Sequence, residues 1–281
     1  MGGQVNACAY SPKGGLLATA VGKGGPGIDI YDTSSLTRTQ FIQATDVVED
    51  VAFSPDGERI VSGGKDCIVR LWDRITRREV FVMRGHEGVV RSVAFSPCGK
   101  QIASSSDGRT IRLWDARTGE SLFVLRSHEW RVTSFKYSPN GDRLASGGDD
   151  GAIRIWNPAT GVSEDILGSA LGEVRCLAYS PDGQRIASGH VNGALHLWNT
   201  LTSKPGPDLQ GHTCAVNKVT FSANGQRIAS TGVDESVMLW NVSTGKLLSR
   251  THGHGNTVDG IGFSPDGLQI ASGCGDEKVH L

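Results

Sequence analysis

The sequence predicts an all-β fold of seven successive units, each a four-stranded antiparallel sheet. Three observations carry this: a repeat of about 42 residues, apolar alternation broken by turn residues within each repeat, and an abundance of glycine (38) over proline (10) that suits frequent tight turns. An aromatic followed by Asp or Asn stands at Tyr31, Trp72, Trp114, Trp156, Trp198 and Trp240, at intervals of 41 and then 42 four times. A Ser-Pro-x-Gly turn or its variant begins at Ser11, Ser54, Ser96, Ser138, Ser180, Ser222 and Ser264, with five consecutive spacings of 42. Self-similarity at such a period marks an array of supersecondary units.

Each element follows from local pattern. In the fourth unit Val132 to Tyr137 alternates as a first strand, and Ser138-Pro139-Asn140-Gly141 turns the chain into a second, Arg143 to Ser146. Gly147 to Gly151 turns it again, Ile153 to Trp156 is the third strand, and the stretch near Asp165 to Leu167 is expected as the fourth. The second strand carries an apolar residue at one register position throughout: Ile60, Ile102, Leu144, Ile186, Ile228 and Ile270. A single such sheet cannot bury both faces, whereas a ring of neighbouring sheets can. The whole chain, 1–281, therefore reads as one domain of seven repeats.

Composition excludes several functions. The 28 basic and 29 acidic residues give a formal charge of -1, and neither sign gathers into a tail or stripe, so nucleic acid is not an implied partner. No apolar run approaches a membrane span, and the N-terminal residues lack the regions of a signal peptide, so no membrane partner and an intracellular location are expected. Myristoylation of Gly2 is disfavoured because Asn6 stands where the motif requires Ser or Thr. Cys8, Cys67, Cys98, Cys176, Cys214 and Cys274 form no C-x-x-C pair, which argues against a metal framework and for reduced thiols in the cytoplasm or nucleus. No cofactor is expected.

With its Gly85-His86, Gly211-His212 and Gly253-His254 pairs near the start of a unit and Trp-Asp or Trp-Asn near the end, the repeat resembles the WD repeat, and the match spans essentially the whole chain. The resemblance implies a seven-bladed β-propeller with four-stranded antiparallel blades. It also implies a hydrogen-bonded clasp in each blade, made by the His before the first strand, the Ser or Thr ending the second, the Asp of the next turn and the Trp of the third. Carried over by position, the sets are His128, Ser146, Asp150 and Trp156, and His212, Ser230, Asp234 and Trp240. Imidazole, hydroxyl, carboxylate and indole N–H satisfy one another when buried, and an unpaired member costs about 1–3 kcal/mol. The same residue types make a catalytic triad, but one repeated in every blade has no purpose, so no catalytic residue is assigned. Clasps are expected to be incomplete in the second unit, which lacks the His; in the third, where Gly108 replaces the Asp; and in the fifth, where Ala170 replaces the His. In the first, Tyr31 replaces Trp.

Three further motifs carry little. Gly22-Lys23-Gly24-Gly25-Pro26-Gly27 matches G-x-G-x-x-G, yet a strand and not a helix follows it. His252-Gly253-His254 lacks a third ligand nearby, and Asn241-Val242-Ser243 matters as a glycosylation acceptor only in a secreted chain.

Binding is expected on the face around the propeller channel, where the loops into each first strand and the turns between second and third strands converge. Asn6, Glu49, Arg91, Thr133, Arg175, Asn217 and Asp259 share one register there, and their mixed charge suits a protein or peptide, although a solvated rim needs no partner. Trp130, beside Arg131, lies outside the repeat register and is either packed against a neighbouring blade or a binding anchor. The expected function is a non-catalytic scaffold for a protein or peptide, as in a signalling complex. Alternatives are a ligand- or glycan-sensing arm of a larger signalling protein, favoured by a deep aromatic-lined pocket, and an enzyme using the channel mouth.

The seventh blade is expected to be incomplete. Trp240 plus 42 is 282, one position past Leu281, and Met1 already occupies the His position of the first unit. Three strands ending at Val279 to Leu281 should leave an edge open, to be paired by a partner strand or by continuation in a longer parent chain.

Overall fold

A computed structural model describes residues 5–22, 25–126, 128–168, 172–252, 254–264, 267–274 and 279–280. Met1, Gly2, Lys23, Gly24, Ser127, Ala170, Gly253 and Leu281, on which parts of the sequence reading fall, lie outside the described residues. All regular structure in the described residues is β. The strands form seven sheets in two compact units, Met1–Val132 and Thr133–Leu281.

The first unit holds β1 (Val5–Tyr10), β2 (Leu16–Val21), β3 (Gly27–Asp32) and β4 (Arg38–Gln43); β5 (Val48–Phe53), β6 (Arg59–Gly64), β7 (Val69–Asp73) and β8 (Glu79–Met83); and β9 (Val90–Phe95), β10 (Gln101–Ser106), β11 (Thr110–Asp115) and β12 (Ser121–Arg126). The second holds β13 (Val132–Tyr137), β14 (Leu144–Gly148), β15 (Ile153–Asn157) and β16 (Val162–Ile166); β17 (Val174–Tyr179), β18 (Arg185–His190) and β19 (Leu195–Asn199); β20 (Val216–Phe221), β21 (Arg227–Gly232), β22 (Ser236–Asn241) and β23 (Leu247–His252); and β24 (Val258–Phe263), β25 (Ile270–Cys274) and β26 (Val279–His280). Sheet neighbours are consecutive in the chain and the pairings are antiparallel.

Packing explains the strand compositions. In β10, Ile102 to Ser106 are all buried, because this strand is covered on both faces and needs no polar side. The outer strand β16 is exposed at all five residues, which accounts for its poor apolar content. Cores form between consecutive sheets: Trp72 with Ile28 and Ile30, Trp114 with Val69 and Leu71, Trp198 with Ile153 and Ile155, and Trp240 with Leu195 and Leu197.

Two expectations are corrected. The fourth strand of the fourth sheet is Val162–Ile166 and not the stretch near Asp165 to Leu167, because Gly161, at φ 71°, closes the preceding turn tightly enough for the strand to start at once. The fifth sheet has three strands instead of four. Its outer segment pairs with β19 at the isolated bridges Leu195 with Leu209 and Trp198 with Pro205 and forms no continuous ladder, since Pro205 and Pro207 have no N–H to donate. The seventh sheet has three strands among the described residues, in line with the expectation for that blade.

Left-handed backbone recurs in register. The turn between second and third strands places Cys67, Arg109, Gly151, Gly193 and Glu235 at φ between 60° and 85°. The turn after the third strand does the same with Leu36, Arg77, Gly119, Gly161, Ser203 and Gly245, at 54° to 74°.

Candidate binding surface and the buried clasps

The sixth unit brings its four clasp residues together. Trp240 Nε1–H donates to Ser230 Oγ at 2.8 Å, Ser230 Oγ lies 2.8 Å from His212 Nε2, and His212 Nδ1 lies 2.9 Å from Asp234 Oδ1. The assignment that satisfies every atom has Ser230 O–H donating to Nε2 and Nδ1–H donating to the carboxylate. Burial pushes the His212 imidazole below its ordinary range, against the pull of Asp234. Burial works against ionisation of Asp234 as well, yet hydrogen bonds from Ser236, His212 and the Thr213 N–H hold it below the ordinary carboxylate value. This set cannot act as a triad on a substrate, because Ser230 is fully buried and its oxygen already accepts from the indole.

The other units vary the arrangement. In the fourth, Trp156 Nε1–H donates to Ser146 Oγ at 2.8 Å, His128 is buried, and Asp150 accepts from the Ala152 N–H and lies 3.4 Å from Arg154. In the third, His86 Nε2 lies 2.7 Å from Ser104 Oγ, and Thr110 Oγ1 approaches Nδ1 at 3.3 Å in place of the missing carboxylate. In the second, Trp72 donates to Ser62, while Asp66 accepts from Arg70 at 2.6 Å and from Thr45 at 3.1 Å. In the seventh, His254 Nε2 lies 2.9 Å from Ser272 Oγ.

The fifth clasp departs from expectation. His190, fully buried on β18, lies 3.0 Å from Ser188 Oγ and 2.8 Å from the Gly172 carbonyl, while Trp198 donates to the same Ser188 oxygen at 2.9 Å. A histidine two residues after the serine thus supplies the imidazole that the register position lacks. Its sequence signal was His190 standing where Gly64, Gly148 and Gly232 stand elsewhere.

The register-matched polar residues differ in availability. In the first unit Asn6 Nδ2–H donates to the Val48 carbonyl at 2.8 Å, bracing two first strands. Arg91 is exposed, donates to Asp107 at 2.8 Å, and reaches Glu49 at 3.4 Å; Lys65 lies 3.9 Å from the same Glu49. In the second unit Thr133 donates to the carbonyls of Gly147 and Val174. Asn217, only 7% exposed, donates to the Val258 carbonyl and to Asp259, while Arg175 and Asp259 are exposed.

Trp130 is 58% exposed, Arg131 beside it is exposed, and the Arg109 guanidinium lies 5.5 Å from the centre of the Trp130 ring. A cleft of about 780 Å³ in the second unit is lined by polar and aliphatic residues, among them Asn140, Arg143, Glu164 and Asp182, with no aromatic ring. No cluster of metal-binding side chains occurs among the described residues.

The family model described as IFT122 first beta-propeller matches residues 47–222, more than half of the chain, and the model described as WD domain, G-beta repeat matches residues 245–281. General transcriptional corepressor TUP1 of Saccharomyces cerevisiae is 32% identical over 56 residues. That stretch is 20% of this chain and 8% of the yeast protein. By its repeat phase, its seven sheets and these matches, the chain belongs to the WD-repeat β-propeller family.

Proposed function

We propose that this chain is a non-catalytic docking module, holding a protein or peptide partner at the sheet ends that carry the lead-in loops, within an assembly in the cytoplasm or nucleus. WD-repeat propellers generally mediate protein–protein interaction and are typically non-catalytic scaffolds. The observation that carries the reading is Trp130, a large aromatic outside the repeat register and 58% exposed, next to Arg131. Tryptophan and arginine are enriched among residues that dominate interface energies. In the same unit Arg91 is exposed; in the other, Arg175 and Asp259 are. Glu49 and Asn217, tied into bonds with neighbouring groups, serve to hold the loops in place.

The test is a pull-down read by mass spectrometry, comparing the wild type with the Trp130→Ala, Arg131→Ala double variant. Partners retained by the wild type should be lost from the variant, with the melting temperature within a few degrees of wild type. An unchanged partner set would exclude these side chains from the interface, and loss of folding along with binding would assign them to packing.

A further inference from the structure

Arg112, at one corner of the third sheet, lacks the acids that neutralise its counterpart in the second. In the second unit Arg70 is held by Asp66 at 2.6 Å and by Glu79 at 3.0 Å. The register-equivalent arginine of the third unit is Arg112, and the positions of those two acids are filled by Gly108 and Ser121. Arg112 lies instead against Gly85 and the Trp114 ring, with its Nε buried and without a hydrogen-bond partner. Burial, and next the charge of Arg126, push its guanidinium below the ordinary range, with Glu87 opposing.

Two more arginines lie at the same end of β11 and β12. Arg126 is exposed and pairs with Thr110 across β11 and β12. Arg109, just before Thr110, is exposed with φ at 64°, a left-handed position that Gly151 and Gly193 fill in other repeats. That strained turn sets its guanidinium over Trp130. The acid of the same turn, Asp107, is held by Arg91. No ion pair joins Arg109, Arg112 or Arg126 to a carboxylate among the described residues.

We infer that Arg109, Arg112, Arg126 and Trp130 form a docking surface for an acidic peptide segment, with carboxylates on the guanidiniums and an apolar side chain on the free face of the indole. A guanidinium stacked on a ring keeps its N–H edge free for a carboxylate, and the stack fixes that edge in advance. The patch occupies one corner of one sheet in a chain of net charge -1, which fits a short acidic segment better than the long array of phosphates in a nucleic acid. This inference rests on the reading that the chain docks a partner beside Trp130.

Fluorescence anisotropy on the full chain tests it, with a labelled peptide of alternating Glu and Leu, the same peptide with Gln for Glu, and a single-stranded DNA oligomer. The Glu peptide should bind about tenfold or more tightly than the Gln peptide, and the preference should shrink with salt. The Arg109→Gly, Arg126→Gln variant should lose that preference while remaining folded, because glycine suits the left-handed turn. Equal affinity for both peptides, an unchanged preference in the variant, or stronger binding of the DNA would each overturn the inference. If the two peptides bind alike and Trp130→Ala weakens both, docking at Trp130 stands and acid recognition falls.

Discussion

Buried imidazoles tie the stability of this fold to pH. His86 Nε2 lies 2.7 Å from Ser104 Oγ, and burial, with Arg112 adding to it, pushes its pKa down to about 4. The folded state therefore favours the neutral ring. Between an unfolded value of about 6.5 and the folded value of about 4, the unfolded chain binds more protons, so stability is full above that window and falls as pH drops through it. The loss from His86 amounts to at most about 3 kcal/mol. His190 and His212 are shifted in the same direction, each chiefly by burial. The carboxylates of Asp56 and Asp182, lowered first by the hydroxyls of Ser54 and Ser180, lose their contribution only as pH falls below the ordinary carboxylate value. Urea titrations at stepped pH should show a His86→Gln variant less sensitive than the wild type between pH 6.5 and 4; identical slopes would remove His86 from the account. A second residue-scale prediction concerns Leu36, 80% exposed at φ 54°, where Gly119, Gly161 and Gly245 stand in register. Left-handed strain of about 1–2 kcal/mol is partly offset by the entropy lost when glycine is ordered, so Leu36→Gly should raise stability by about 0.5–1 kcal/mol. An unchanged or lower melting temperature would contradict this.

Neighbouring sheets are also fastened by a polar device that recurs in register. Arg59 Nη1–H donates to the Ala116 carbonyl at 3.0 Å, Arg143 to Thr200 at 2.9 Å, and Arg185 to Val242 at 3.0 Å, each 57 residues further on. The guanidinium leaves the start of one second strand and reaches the turn after the third strand of the next sheet. Arg185→Ala should lower stability by about 1–2 kcal/mol in urea denaturation, since a charge-assisted bond to a partly buried carbonyl is lost. Wild-type stability in that variant would show that the strap contributes nothing. These arginines recur in the sequence, but periodicity alone could not show that they cross between sheets. The second and third strands were legible because Ile, Trp and Gly fall at fixed offsets that burial enforces. The outer strands were less so: Val162–Ile166 is exposed throughout, so no apolar alternation marks its bounds, and Pro205 with Pro207 reduces the outer strand of the fifth sheet to isolated bridges. The clasp set of the sixth unit was readable from register, whereas His190 reaches Ser188 from two residues further along the same strand, outside that register. Trp130 stood out by breaking register, but Arg109 beneath it was visible only from the turn geometry.

In a repeat fold each sheet draws its stability largely from its immediate neighbours, so differences in packing between sheets should appear as differences in local opening. Within the second unit the contrast is strong. On β18, Ile186 to His190 are all buried, and a Cβ on Gly189 would meet Val216 Cγ1 and Cys176 Sγ at 2.6 Å. At the same register on β25, a Cβ on Gly273 would meet nothing within 4 Å among the described residues, nor would one on Gly262 of β24. Only Val258 of β24 is buried. Hydrogen exchange should therefore be faster in β24 and β25 than in β17 to β19, by about tenfold or more, which corresponds to about 1.4 kcal/mol in opening free energy. The two glycines offer a matched substitution. Gly189→Ala forces a methyl group into the branched Val216 side chain and should destabilise by about 1–3 kcal/mol. Gly273→Ala enters open space and should change stability by less than about 0.5 kcal/mol. Equal losses from the two variants, or equal exchange in the two sheets, would show that packing density does not set local stability along this chain.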